Sequence, residues 1–144
     1  GAVKNVIAIA CGIVDGRALG ENARAALITR GLAEISRLAM AKGARAETLT
    51  GLSGLGDLTL TCVGSGSRNH SLGVELGRGR PMREVLAGRR SVAEGVFSAR
   101  ATVTLAERLN VEMPIAQAVD AVVNREADIA ATIDDLLARP LKSE

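Results

Sequence analysis

Aromatic residues are nearly absent from this chain, which has one Phe and no Tyr or Trp among its 144 residues. Nucleic-acid-binding proteins usually combine a clustered basic face with stacking aromatics. Because the aromatics are missing and the net charge is only +2, we expect no nucleic-acid partner. The hydrophobic residues, 47 % of the chain, must form an aliphatic core, and 24 alanines against three prolines favour an all-α fold.

Cysteine, histidine and long apolar runs are scarce as well. Two cysteines, Cys11 and Cys62, are too few for a disulfide framework, and their apolar surroundings predict small core residues. One histidine leaves no Cys/His cluster with zinc-ligand spacing, so we expect no metal site. No apolar run reaches the roughly 18 residues of a membrane helix, and no signal-peptide pattern is present. We therefore expect no membrane insertion, and the abrupt Gly1-Ala2 start is typical of a fragment.

Apolar residues recur with the helical period in most segments, and no sustained alternation predicts a strand. The predicted helices are 2–15, 22–42, 81–86, 94–109, one that Pro114 opens, and 129–138 with Asp128 as its cap. In the second helix, Asn22 is the predicted N-cap and Gly43 the residue after the end. Its predicted core stripe is Leu27, Gly31, Ile35, Leu38 and Met40, and its predicted wet side is Arg24, Arg30, Glu34, Arg37 and Lys42.

A window rich in Gly, Ser and Thr interrupts the alanine-rich helices. Between residues 47 and 86 there is no Ala, and eight of the 16 glycines fall between Gly51 and Gly79. Successive glycines before a helix near Asn69 would form a nest of backbone N–H groups, and Arg68 adds a donor that suits phosphate. The run 64–69 is therefore either an anion cradle or an ordinary capped helix start. His70 is expected at the surface.

Two isolated charges carry alternative interpretations. Lys4 interrupts the apolar first helix, where a buried lysine needs a partner or water. It either extends its ammonium out to solvent at the helix end or serves as a catalytic lysine at the edge of a cleft. Asp57 is a lone acid among apolar residues, and it either faces a helix N-terminus or pairs with Lys4.

Five short motifs occur in a specific order. They are Gly1-Ala2-Val3-Lys4-Asn5, Gly12-Ile13-Val14-Asp15-Gly16, Gly54-Leu55-Gly56-Asp57-Leu58-Thr59-Leu60-Thr61-Cys62, Ser67-Arg68-Asn69 and Val92-Ala93-Glu94-Gly95. Together they resemble bacterial NAD(P)-dependent glycerol-3-phosphate dehydrogenase. The resemblance covers the whole chain but only the family's C-terminal helical domain, a domain similar in fold to the helical domain of 6-phosphogluconate dehydrogenase. It implies one substrate-binding domain over 1–144, with the family's N-terminal Rossmann domain absent from this chain. Accordingly, no G-x-G-x-x-G fingerprint is present.

The resemblance also implies the reaction, a reversible hydride transfer between dihydroxyacetone phosphate and sn-glycerol 3-phosphate. The resemblance further implies that this oxidoreductase activity feeds glycerophospholipid synthesis in the cytoplasm. By the resemblance, Lys4 corresponds to the lysine that donates or accepts the proton in the family. Asn5, Asp57 and Thr61 would line the glyceryl portion of the substrate.

The remaining positions concern the substrate phosphate and the cofactor. The resemblance implies that Ser67, Arg68 and Asn69 hold the phosphate and that Arg68, Val92 and Glu94 contact NAD or NADP. The missing N-terminal domain would bind most of that cofactor, so this chain alone is expected to fold but to be inactive. A homodimer is also expected.

Three departures and two alternatives remain. Cys11 replaces a small residue, and His70 and Ser71 follow the cradle where the family often has basic residues, which could weaken anion attraction. One alternative is a non-catalytic helical module, for dimerisation or phosphate sensing, on the same scaffold. The other is a related hydroxyacid dehydrogenase with a helical substrate domain.

Overall fold

The computed structural model describes residues 2–43, 68–87 and 92–140, and every regular element within these ranges is a helix. The helices are α1 (Ala2–Gly16), α2 (Glu21–Ala41), α3 (Arg68–Gly77), α4 (Met82–Ala87), α5 (Val92–Arg108), α6 (Pro114–Arg125) and α7 (Ile129–Ala138). The predicted all-α fold is confirmed over the described part of the chain. Cys62 and the other residues from 44 to 67 lie outside it.

Helix α1 is the centre of the core. Every residue from Val6 to Val14 is buried, and α1 packs against α2, α3, α5 and α6. A helix that is apolar on all sides can be stable in water only when other elements surround it. Cys11 is fully buried within this helix, which confirms the prediction that it is a small core residue.

Helices α1 and α3 touch backbone to backbone. A Cβ atom added at Gly12 would overlap the carbonyl oxygen of His70, and one added at Gly73 would overlap that of Ile9. Gly16 and Gly77 extend the same contact to the C-terminal ends of both helices. Only glycine leaves room for an approach this close. The α1–α3 pair therefore forms a tight two-helix unit in the core.

The N-cap prediction was right for α7 and wrong for α2. The carboxylate of Asp128 accepts a hydrogen bond from the backbone N–H of Ala131, at 3.0 Å, and so caps α7 as predicted. Helix α2 begins at Glu21, because Gly20 takes a left-handed φ of 96° and turns the chain into the helix. Asn22 therefore lies inside the helix and is not its N-cap. At the other end Gly43, with φ 101°, follows the C-cap as predicted.

The buried face of α2 differs from the predicted stripe at three positions, of which Ile35 is half-buried and still packs against the core. Its buried residues are Leu27, Gly31, Glu34 and Leu38, which follow one another at helical spacing. Met40 comes two residues after Leu38, about 200° around the helix, and is 53 % exposed instead of buried. Glu34, predicted on the wet side, is only 2 % exposed.

Glu34 is buried because it caps another helix. Its carboxylate accepts hydrogen bonds from the backbone N–H groups of Ile115, at 2.7 Å, and Ala116, at 3.4 Å. These N–H groups belong to the first turn of α6, where no acceptor within the helix is available. The carboxylate also lies at the positive end of the α6 dipole. Glu34 therefore joins α2 to the start of α6.

Charged groups from three parts of the fold surround Glu34. Arg30 and Arg37 lie on α2, Glu112 precedes α6, and Arg139 follows α7. Arg37 Nε donates to the carbonyl oxygen of Glu112 at 3.2 Å, and Arg139 forms an ion pair with the Glu112 carboxylate. Burial raises the pKa of Glu34 to about 7, although the two backbone hydrogen bonds, Arg37 and Arg139 act in the opposite direction.

The α1–α3 contact predicts that Gly73→Ala is strongly destabilising. The new methyl group would collide with backbone atoms of Ile9 and Gly12, which cannot rotate away. We expect a loss of about 3 kcal/mol in unfolding free energy, measured by urea unfolding. The matched control is Gly31→Ala, where the methyl group meets only movable side-chain atoms of Ile7, at 3.1 Å. Equal losses in both variants would contradict the backbone contact.

Burial of the Glu34 carboxyl group predicts a specific pH dependence of stability. A raised pKa means that the folded state holds the proton more tightly than the unfolded state. The resulting stabilisation is complete below about pH 4.5 and is lost as the pH rises through about 7. Glu34→Gln cannot titrate and should remove about 1–3 kcal/mol of this pH-dependent change. Urea unfolding at pH 5 and pH 8 measures this change, with the exposed Glu107→Gln as control. Parallel profiles for Glu34→Gln and wild type would contradict the raised pKa of Glu34.

Candidate functional site

The start of α3 has the features of an anion-binding helix end. Helix α3 begins at Arg68, close to the predicted start near Asn69, and has no acidic residue in its first turn. The Arg68 side chain is exposed, and Asn69 is half-buried beside it. First-turn N–H groups and the positive end of the helix dipole attract anions, and a guanidinium matches phosphate in shape. This end of α3 can therefore bind a phosphate.

Lys4 and Asn5 lie at the same end of the α1–α3 pair. The two helices run in the same direction, because Gly12 lies against Gly73 and Gly16 lies further along, against Val74. Their first turns therefore lie at one end of the pair. Both Lys4 and Asn5 are half-buried there.

Helix α5 contributes a third wall. A Cβ atom added at Gly95 would lie 2.6 Å from Oδ1 of Asn69 and 3.0 Å from Cδ1 of Ile9. The amide of Asn69 thus packs directly on the α5 backbone, next to Glu94, whose side chain is exposed. Val92 begins the helix. The glycine at position 95 makes this contact between α3 and α5 possible.

Lys4 lines a cleft of about 360 Å³ between α1, α2 and α5. Most of the wall is apolar, with Val3, Ile35, Leu38, Ala39, Ala101 and Leu105, and it also includes Thr102 and a second lysine, Lys42. A half-buried lysine on such a wall keeps access to water and can reach a ligand in the cleft. Lys4 thus lies at the edge of a cleft, a position compatible with both interpretations of this residue.

Three of the predicted site residues, Asp57, Thr61 and Ser67, lie outside the described residues, as does the glycine run that begins at 64. In the part of the chain that the structure describes, no cluster of three or more His, Cys, Asp or Glu residues could hold a metal ion. No helix in the described ranges is long and apolar enough to cross a membrane.

Sequence reasoning missed a polar cluster that includes His70, the residue after Asn69. His70, predicted at the surface, is 9 % exposed, and its Nε2 donates to Oδ2 of Asp15 at 2.7 Å. Arg24 donates to Oδ1 of the same carboxylate, from Nε at 2.8 Å and from Nη2 at 2.7 Å. The hydrogen bond to Asp15 raises the pKa of Arg24. The glycines spaced by four in α1 and α3 were the available signal that these helices pack side by side.

The whole chain resembles known proteins. Residues 1–134 match the family model described as NAD-dependent glycerol-3-phosphate dehydrogenase C-terminus. The chain belongs to this family. It is 60 % identical over all 144 residues to glycerol-3-phosphate dehydrogenase [NAD(P)+] from Rhodospirillum rubrum and 58 % identical to that from Caulobacter vibrioides. It also superimposes on the crystal structure of glycerol-3-phosphate dehydrogenase from Coxiella burnetii, with a TM-score of 0.88, 45 % identity and 96 % of this chain covered.

The chain spans less than half the length of these relatives. It covers 41 % of the Rhodospirillum protein, 44 % of the Caulobacter protein and 43 % of the Coxiella chain. The described helices thus correspond to the C-terminal part of the family, as the sequence motifs implied. Most of the length of such a protein lies outside this chain.

Proposed function

We propose that this chain is the substrate-binding domain of an NAD(P)-dependent glycerol-3-phosphate dehydrogenase, which interconverts dihydroxyacetone phosphate and sn-glycerol 3-phosphate. The observation that carries the proposal is the shared location of Lys4, Asn5, Arg68 and Asn69 at one end of the α1–α3 pair, in a chain that matches the family along 1–134. This arrangement combines a proton donor with an anion-binding helix end. A purely structural helical module has no need of that combination.

The phosphate of the substrate would bind at the start of α3. Arg68 would donate a charge-assisted hydrogen bond pair to it, and Asn69 and Ser67 would donate from their side chains. The glyceryl portion would then extend toward α1, where Asn5 lies, with Asp57 and Thr61 completing the pocket. A substrate fixed at its phosphate presents its C2 carbon in one orientation.

Lys4 would act as the general acid and base. In ketone reduction its ammonium gives a proton to the C2 oxygen while the carbon receives the hydride, and in alcohol oxidation the amine takes that proton back. A flexible four-carbon stem lets the ammonium reach a substrate oxygen from the cleft wall. Asp57 is proposed to pair with the Lys4 ammonium and hold it in place.

The residues present fit a nicotinamide cofactor bound chiefly by another domain. Arg68 and Glu94 are exposed at neighbouring helix starts, where a guanidinium suits a phosphate and a carboxylate accepts hydrogen bonds from hydroxyl or amide groups. Val92 belongs to the same turn of α5. When bound, the cofactor supplies or accepts the hydride. A Rossmann domain preceding residue 1 would hold most of it, and the homodimer and the cytoplasmic location stay predictions.

The proton-transfer role predicts the behaviour of Lys4 variants in the full-length protein. Lys4→Ala should lower kcat by about 10²–10⁴-fold, the usual contribution of a general acid or base. Lys4→Arg should not restore activity, since a guanidinium stays protonated and differs in shape. Lys42→Ala, which removes the other lysine of the same cleft, should leave kcat unchanged. Steady-state reduction of dihydroxyacetone phosphate measures all three, and near wild-type kcat in Lys4→Ala would refute the mechanism.

Binding of the substrate phosphate by Arg68 at the start of α3 predicts a change in KM. Arg68→Ala should raise KM for dihydroxyacetone phosphate by about 10- to 100-fold, since it removes a charge-assisted hydrogen bond worth about 1.5–3 kcal/mol. The melting temperature should not change, because the side chain is exposed. Arg78→Ala is the matched control, an exposed arginine just beyond the other end of α3. Equal KM values for Arg68→Ala and wild type would place the phosphate elsewhere.

A further inference from the structure

We propose that His70 is a positioning residue, which holds the first turn of α3 in place against α1 and thereby sets where Arg68 and Asn69 stand relative to Lys4. The inference rests on the proposed function and adds to it a residue that contacts neither substrate nor cofactor. The observation behind it is a hydrogen-bonded junction of three helices whose α3 member, His70, directly follows Asn69 of the candidate phosphate site.

The junction is built around one carboxylate. Asp15 lies in the last turn of α1, and its Oδ2 accepts a hydrogen bond from Nε2 of His70 at 2.7 Å. Its Oδ1 accepts hydrogen bonds from Arg24, in the first turn of α2, at 2.8 Å from Nε and at 2.7 Å from Nη2. The three side chains are between 11 % and 29 % exposed, so solvent competes only partly for these bonds. Because Arg24 holds the carboxylate from the other side, His70 bonds to a fixed acceptor.

The hydrogen bond between His70 and Asp15 is directional, whereas the contact between the glycines of α1 and α3 is not. The facing surfaces at Gly12 and Gly73 are backbone without side chains, and dispersion contacts have no strong directional preference. A hydrogen bond is directional, so the one from His70 adds a constraint on the rotation and the axial position of α3 to that of the glycine contact. His70 follows Asn69 directly and Arg68 by two positions. Any shift of its backbone therefore moves the phosphate site relative to Lys4 on α1.

The test compares kinetics of full-length variants. His70→Ala should raise KM for dihydroxyacetone phosphate by about 3- to 30-fold, the range found for mutations that act without touching the ligand. The value of kcat should change less, because Lys4 itself is intact. His70→Gln should restore the wild-type KM, since its amide nitrogen stands about as far from the backbone as Nε2 and can donate to Asp15.

Arg80→Ala is the matched control. It removes a 2.7 Å ion pair with Glu75, also involving α3 but at the end far from the site, and should leave KM unchanged. If His70→Ala fails to fold, His70→Asn replaces it, since that side chain is polar but too short to reach Asp15. Melting temperatures of all variants are measured alongside.

Each outcome has a definite meaning. A raised KM in His70→Ala or His70→Asn, rescue by His70→Gln and a normal Arg80→Ala support the inference. A wild-type KM in the His70 variants, while Arg68→Ala has a raised KM, overturns the inference alone. A KM that follows melting temperature across all variants, or no rescue by a stable His70→Gln, overturns it as well. Failure of the wild-type protein to reduce dihydroxyacetone phosphate overturns the proposed function and the inference with it.

Discussion

Backbone contact between α1 and α3 is the constraint on which the rest of the described structure depends. Gly12 and Gly73 let the two helices approach until carbonyl oxygens of one lie against Cα atoms of the other. The fully buried α1 can then serve as the central element around which α2, α5 and α6 pack. Since both helices run in the same direction, the contact also brings their first turns to one end. A packing requirement of the core thus positions the candidate site.

The site joins two chemically different parts through this contact. Helix α1 supplies Lys4, an amine on the wall of an apolar cleft, and α3 supplies a helix start with an exposed Arg68, where we propose that an anion binds. Helix α5 closes the third side, since Gly95 admits the amide of Asn69 against its backbone. Substrates with a phosphate at one end and a carbonyl or hydroxyl nearby match this arrangement. Membership of the glycerol-3-phosphate dehydrogenase family agrees with that chemistry.

Local signals predicted the helices well, and long-range partners explain the errors. Three signals depend only on residues within one or two turns and can therefore be recognised in the sequence. They are the apolar run of α1, Pro114 at the start of α6 and the cap at Asp128. Glu34 was placed on the wet side because its partner, the N–H of Ile115, is 81 residues away. His70 was misplaced for the same reason, since its partner Asp15 is 55 residues away. The start of α3 was predictable, whereas the junction beside it required the fold.

A crystal structure of the full-length protein with glycerol 3-phosphate bound tests the central claim most directly. The account predicts that the phosphate lies at the start of α3 within hydrogen-bond distance of Arg68, and that the C2 hydroxyl lies within hydrogen-bond distance of Nζ of Lys4. A phosphate bound elsewhere, with Lys4 directed away from the substrate, would contradict it.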